Sequence, residues 1–310
     1  MKLGFFYSGQ GSQFAGMGRD LYDREPAFRA AFDGADLDFD LKTVAFFDPE
    51  GVLNQTRYTQ PCMAAFAAGV TNALSARGIV PDCAAGLSLG EYAALYAAGT
   101  FSQATLLRTV NFRGKAMATA ASGTEFAMAA VLGTAAEEVE RACRRAAAFG
   151  VAEIAAYNCP GQMVVGGTRD AVNHAVEELG AARCRRLQTG GPFHTSLLRP
   201  AGDALRAYFA ENPLPEPKIP VLFNCTGGEK RPEDTVEELL ARQVWRPVYL
   251  ESSIRRMAER TDAVVAIGPG HAVAGFFRRT VPGFACFPVE TAGDLDALPE
   301  RLRRLEEQRG

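Results

Sequence analysis

The sequence predicts an α/β protein with a parallel sheet and a small unit inserted into it. Three observations carry this. Short apolar runs at 3–7, 80–85, 220–224 and 262–268 alternate with helical patterns, the rhythm of a parallel sheet. Gly86-Leu87-Ser88-Leu89-Gly90 spells Gly-x-Ser-x-Gly between an apolar run and an Ala-rich helical run. That is the strand–turn–helix of a nucleophile elbow, as found on α/β-hydrolase-like sheets. Between 125 and 191 the pattern becomes β-α-β-β-α-β, the order of a ferredoxin-like unit. The expected organisation is a large α/β-hydrolase-like domain over 1–124 and 192–310, with a ferredoxin-like domain inserted over 125–191. A chain of 310 residues is long enough for both.

Leu3 to Tyr7 reads as a buried strand stopped by Ser8-Gly9-Gln10-Gly11-Ser12-Gln13. Neither a dinucleotide fingerprint nor a Walker lysine is present in that loop. It does offer flexible backbone and the Gln10 amide at the C-terminal end of a strand, where α/β sheets collect ligands. Helices follow around 18–22 and 26–33. Thr59-Gln60-Pro61 opens another, running to about Arg77, since proline suits a first helical turn. Val80 to Ala85 is the elbow strand and Glu91 to Ala98 its helix. Ser102-Gln103 starts a helix through Met117 that carries Arg113 among apolar neighbours.

In the insert, 126–132, 151–157, 162–167 and 183–188 read as strands, with helices over 136–148 and 169–180. The large domain resumes with a helix from Ser196 to Ala210, a strand at 220–224, and helices at 236–244 and 250–260. A strand at 262–268 ends in Gly-Pro-Gly and is followed by a helix at 272–279. A charged helix over 298–308 closes the chain.

Composition excludes several classes. Hydrophobic residues at 47% and charged residues at 22% are ordinary for a soluble globular chain. A net charge of -3 gives no general attraction to nucleic acid or anionic membrane. The basic clusters at 183–186 and 301–304 read as solvated surface, though an acidic carrier protein could use such patches. Seven cysteines without Cys-x-x-Cys spacing read as reduced, mostly buried thiols. No signal peptide or membrane-length apolar run is present, so a cytoplasmic protein without membrane attachment is expected.

A serine nucleophile needs a base, and the chain has three histidines. His174 falls mid-helix in the insert, where packing or surface exposure explains it. His194, in Gly-Gly-Pro-Phe-His-Thr, and His271, after Gly-Pro-Gly, both occupy loops that could line a site. Position favours His194 and leaves His271 open. An elbow supplies one oxyanion donor from the residue after the nucleophile, here Leu89. Gln10 is the natural source of a second. Arg113 needs a partner if buried. Either a protein carboxylate such as Glu91 or a substrate carboxylate gripped by two hydrogen bonds would serve.

Together these motifs resemble the bacterial malonyl-CoA:acyl carrier protein transacylases and the acyltransferase domains of polyketide synthases. The resemblance runs to about residue 290. It rests on Gly9 to Gln13, Thr59-Gln60-Pro61, Gly86 to Glu91, Arg113 to Met117, and Asn158-Cys159-Pro160-Gly161-Gln162. Gly191 to His194, Asn224 to Gly227, Gln243 and Ile267 to Gly270 complete it. It implies Ser88 as nucleophile and His194 as base, with Gln10 and the Leu89 amide in the oxyanion hole. It implies that a backbone carbonyl at Gln243 orients His194, which accounts for the lack of an evident acidic triad member. It implies Arg113 binding a malonyl carboxylate, with Gln60, Phe193 and Asn158 also on the substrate side. Leu87 departs from the pattern, since many relatives carry histidine there.

The implied reaction is transfer of malonyl from malonyl-CoA to the phosphopantetheine thiol of acyl carrier protein through malonyl-Ser88, serving fatty acid or polyketide synthesis. Methylmalonyl or acetyl transfer, or acyl hydrolysis, are the alternatives. No cofactor is expected, malonyl-CoA being a substrate. The expected partner is acyl carrier protein, not nucleic acid or membrane, and the working state a monomer.

Overall fold

The computed structural model describes residues 1–309. Ten strands lie in these residues: β1 Leu3–Tyr7, β2 Cys83–Gly86, β3 Phe126–Leu132, β4 Ala152–Cys159, β5 Gln162–Thr168, β6 Cys184–Arg186, β7 Val221–Leu222, β8 Val248–Tyr249, β9 Ala263–Ile267 and β10 Ala285–Val289. They form two five-stranded sheets, each within one of two compact units.

The first unit comprises residues 1–112, 215–222 and 254–310, described here as far as 309. Its sheet runs β10-β9-β1-β2-β7, and every pairing is parallel. All five residues of β1 and of β9 are buried. Strands covered on both faces read as continuous apolar runs, which is why these two were legible. The loops after β1, β2 and β9 leave from the same sheet edge, the carboxyl ends where parallel sheets bind ligands. Helix Thr56–Ser75 is buried over most of its length. It begins three residues before the expected Thr59, so Pro61 lies inside it rather than at its first turn. Proline cannot donate to the carbonyl four residues back, but this is tolerated near the N-terminus, where few such bonds are at stake.

The second unit comprises residues 113–214 and 223–253, so it extends beyond 125–191 on both sides. Its sheet order is β6-β3-β5-β4-β8. Strands β3 to β6 pair antiparallel, and helices Ala136–Ala146 and Arg169–Leu179 complete the β-α-β-β-α-β order. Pro160-Gly161 turns β4 into β5, with Gly161 at φ +71°. Val139, Ala142, Val172 and Val176 from the helices pack on Val131, Ile154 and Val165 of the sheet. β8 joins β4 in parallel from almost ninety residues downstream.

The expected strand at 220–224 shrinks to β7, and Phe223 leaves the sheet to bridge Gly228 instead. The elbow strand starts at Cys83, later than Val80, because Pro81 lacks the N–H a central strand needs. Helix Ala136–Ala146 gives way to a 3-10 turn at Ala147–Phe149. β10 was not foreseen. It contains Pro288 and is tolerated because β10 is an edge strand bonded to β9 alone. Helix Leu41–Phe46 was also missed, although Asp40 caps it by accepting from the Lys42 and Thr43 N–H groups. All seven cysteines are free thiols, five of them buried. Among the described residues no helix is long and apolar enough to cross a membrane.

Candidate active site

Ser88 lies two residues past the end of β2 and two before helix Gly90–Ala97. Its φ is +52°, a left-handed conformation that costs about 1–2 kcal/mol for a residue with a side chain. Two glycines make that turn possible. A Cβ on Gly86 would overlap the main chain of Gly90, and a Cβ on Gly90 would overlap the Tyr7 carbonyl and approach the Ser8 oxygen to 2.9 Å. The helix therefore starts pressed against the end of β1, with the Leu89 N–H at its head. The Leu87 N–H donates to the Tyr7 oxygen at 2.9 Å. The Leu87 side chain lies against Gly9, where a Cβ would come within 3.0 Å of its Cγ. Leu87 thus packs beneath the Gln10 loop.

The Gln10 side chain is occupied. Thr56 Oγ1 donates to Gln10 Oε1 at 2.8 Å, and Gln60 Nε2 donates to Thr56 Oγ1 at 3.0 Å. Thr56 and Gln60 are buried and sit one turn apart on one helix. Sequence reasoning named Gln10 and Gln60 but missed Thr56. The i, i+4 spacing of Thr56 and Gln60 was the available signal. Among the described residues, no group of the chain accepts from the main-chain N–H of Gln10 or of Leu89. Both N–H groups are thus left without an acceptor from the chain.

In the second unit, His194 is buried and also adopts a left-handed backbone, φ +62°. Its N–H donates to the Val244 oxygen at 3.0 Å, and its Nδ1 lies 2.8 Å from the Gln243 oxygen. These carbonyls end helix Val236–Gln243, where the last turn has acceptors left over. A carbonyl only accepts, so Nδ1 carries the proton and Nε2 keeps a lone pair. Burial, and secondarily the positive charge of Arg113, lower the imidazole pKa from 6.5 to about 4. His194 is accordingly neutral at pH 7.

Arg113 is the first residue of the second unit, on helix Gln103–Ala121, and is 1% exposed. Its Nη2 donates to Gln243 Oε1 at 2.9 Å. Gln243 therefore serves both groups: its main chain orients the histidine and its side chain holds the guanidinium. Phe193 is buried, and a Cβ on Gly191 would come within 2.8 Å of its ring. Asn158 is a buried residue of β4. The other histidines lie elsewhere. His271 is an exposed helix cap 3.8 Å from Glu290, and His174 stacks on Phe149.

The chain resembles known proteins over nearly its whole length. Residues 4–282 match the family model described as acyl transferase domain. The chain is 36% identical over 285 residues to the malonyl CoA-acyl carrier protein transacylase of Bacillus subtilis (strain 168), covering 90% of both. It superposes on the crystal structure of that transacylase from Clostridium perfringens with TM-score 0.94 and 32% identity over 99% of each chain. It also superposes on a malonyl-transacylase solved in complex with its type II polyketide synthase acyl-carrier protein, with TM-score 0.93 and 30% identity. That match covers 97% of this chain and 100% of the other. The chain belongs to the acyl transferase family that includes the malonyl-CoA–acyl carrier protein transacylases.

Proposed function

We propose that this protein moves a malonyl group from malonyl-CoA to the phosphopantetheine thiol of an acyl carrier protein, by way of a malonyl ester on Ser88. His194 Nε2 takes the Ser88 proton as the hydroxyl oxygen attacks the thioester carbonyl. The N–H groups of Gln10 and Leu89 receive the oxyanion. The C–S bond breaks and His194 returns the proton to the departing CoA thiolate. In the second half-reaction His194 takes the proton of the carrier thiol. Sulfur attacks the malonyl ester, and the proton goes back to Ser88. Both ends are thioesters, so the exchange lies near balance.

The observation that carries this reading is the double role of Gln243, which attaches a neutral base and a buried guanidinium to one residue. A hydrolase of neutral esters has no use for the guanidinium. An acyl group ending in a carboxylate does, because two parallel charge-assisted hydrogen bonds can hold it. Phe193, crowded against Gly191, supports malonyl over methylmalonyl. That preference is limited to the ~1–3 kcal/mol that one methyl can cost. The same reading has the protein act in the cytoplasm as a monomer without a cofactor, in fatty acid or polyketide synthesis. Asn158 and Gln60 complete the substrate side.

The test is intact-protein mass spectrometry after incubation with malonyl-CoA. The wild type should gain one malonyl group, lose it on addition of holo acyl carrier protein, and gain none as Ser88→Ala. An adduct persisting in Ser88→Ala would overturn the assignment.

A further inference from the structure

We infer that Thr56 is a positioning residue: by gripping the Gln10 side chain it sets where the Gln10 main-chain N–H points. The inference rests on the reading of Gln10 as an oxyanion donor. Thr56 stands in the first turn of the buried helix Thr56–Ser75 and is 3% exposed. Its hydroxyl lies between two carboxamides, accepting from Gln60 and donating to Gln10. A hydroxyl has one proton. Once Gln60 donates to it, that proton must go to Gln10, and Gln10 must meet it with oxygen. The polarity of the chain is thereby fixed, and the Gln10 amide oxygen is committed to the helix.

The loop needs such an anchor. Gln10 stands between Gly9 and Gly11, and Gly11 has φ +112°. Glycines allow the chain to pass close to Leu87 but contribute no side chain to hold it. A second tie from this loop to the neighbouring segment, Gln13 Nε2 to Asn54 Oδ1 at 2.7 Å, is exposed. Water competes more freely for an exposed amide pair than for the hydroxyl of a buried threonine, so the part-buried Thr56 tie dominates. A side chain held by Thr56 leaves the main-chain N–H as the donor Gln10 offers a substrate. An oxyanion donor displaced by a fraction of an ångström loses much of its worth.

The experiment is a double-mutant cycle on the rate of malonyl-Ser88 formation, followed by quenched-flow mass spectrometry. Thr56→Val keeps the shape and removes the hydroxyl. It should slow loading by roughly tenfold with little change in KM. Thr56→Ser, which keeps the hydroxyl, should stay within about twofold of wild type. Gln10→Ala keeps the main-chain N–H but loses the tether, and should slow loading as much as Thr56→Val. The double variant should be no slower than the slower single one. Asn54→Ala should change little. Thermal melts check that each variant folds, and Thr56→Ala replaces Thr56→Val in the cycle if the latter does not. Multiplying losses, a Thr56→Ser variant as slow as Thr56→Val, or a Thr56→Val variant as fast as wild type would each overturn the positioning role alone. If the wild type forms no Ser88-dependent adduct, the proposed function falls and the inference with it.

Discussion

Nδ1 of His194 meets the main-chain oxygen of Gln243 at 2.8 Å, and that contact leaves Nε2 as the basic nitrogen. The imidazole titrates at about 4, below its ordinary 6.5. Because the neutral form is the base, kcat/KM for malonyl-CoA should stay level from pH 7 to about pH 5 and fall near pH 4. An acid limb centred near pH 6.5 would contradict this. Stability carries the same signature. The unfolded chain takes up a proton near pH 6.5 that the folded chain refuses until about 4. His194 therefore lowers stability as pH falls through that window, and its effect levels off below. Urea melts at several pH values should show the decline, and it should be smaller in His194→Gln.

Arg113 contributes to that low value through its charge. Arg113→Ala should raise the His194 pKa and move the acid limb of kcat/KM upward. Loss of a charge-assisted pair costs ~1.5–3 kcal/mol, so malonyl transfer should drop roughly 10- to 100-fold. Acetyl transfer, which has no carboxylate to place, should be spared or improve. Arg113→Lys should recover malonyl transfer only in part, because an ammonium lacks the planar fork. Equal loss with both acyl groups would make Arg113 purely structural.

Gly90→Ala should be among the most damaging small changes in the chain. Its methyl would be driven into the carbonyls of Tyr7 and Ser8, which β1 cannot withdraw without breaking its pairing. A loss of more than about 3 kcal/mol, or no soluble protein, is expected. Gly123→Ala is a useful comparison. Space there is open and the cost is confined to a φ of +77°, so denaturant melts should show only ~1–2 kcal/mol.

Ser88→Gly and Ser88→Ala should both be inactive, yet differ in stability. Glycine relieves the left-handed strain at φ +52° and alanine retains it. Thermal melts should put Ser88→Gly above Ser88→Ala, by up to ~1 kcal/mol after glycine's greater unfolded-state entropy is deducted. Equal melting temperatures would mean that the turn stores no strain.

The elbow was legible because its chemistry is local. Gly86, Ser88 and Gly90 fall within five consecutive residues, and sterics alone dictate glycine at 86 and 90. The parallel strands were legible because burial on both faces leaves an unbroken apolar run. Thr56 was not, because its role depends on a hydroxyl reaching a side chain 46 residues earlier. Nor does sequence show that Gln243 would present two oxygens to two different groups. β10 was hidden by Pro288, whose acceptability depends on its place at the edge of the sheet.

The late arrival of β8 bears on how such a protein could be recombined. A piece cut at 125 and 191 would leave one side of β4 bare, an open edge inviting intermolecular pairing. It would also strand His194 and the carbonyls of Gln243 and Val244 on the other side of the cuts. Chimaeras meant to exchange acyl preference should instead join at 112/113, 214/215, 222/223 and 253/254, carrying two separate stretches of chain together. The transferable module is discontinuous.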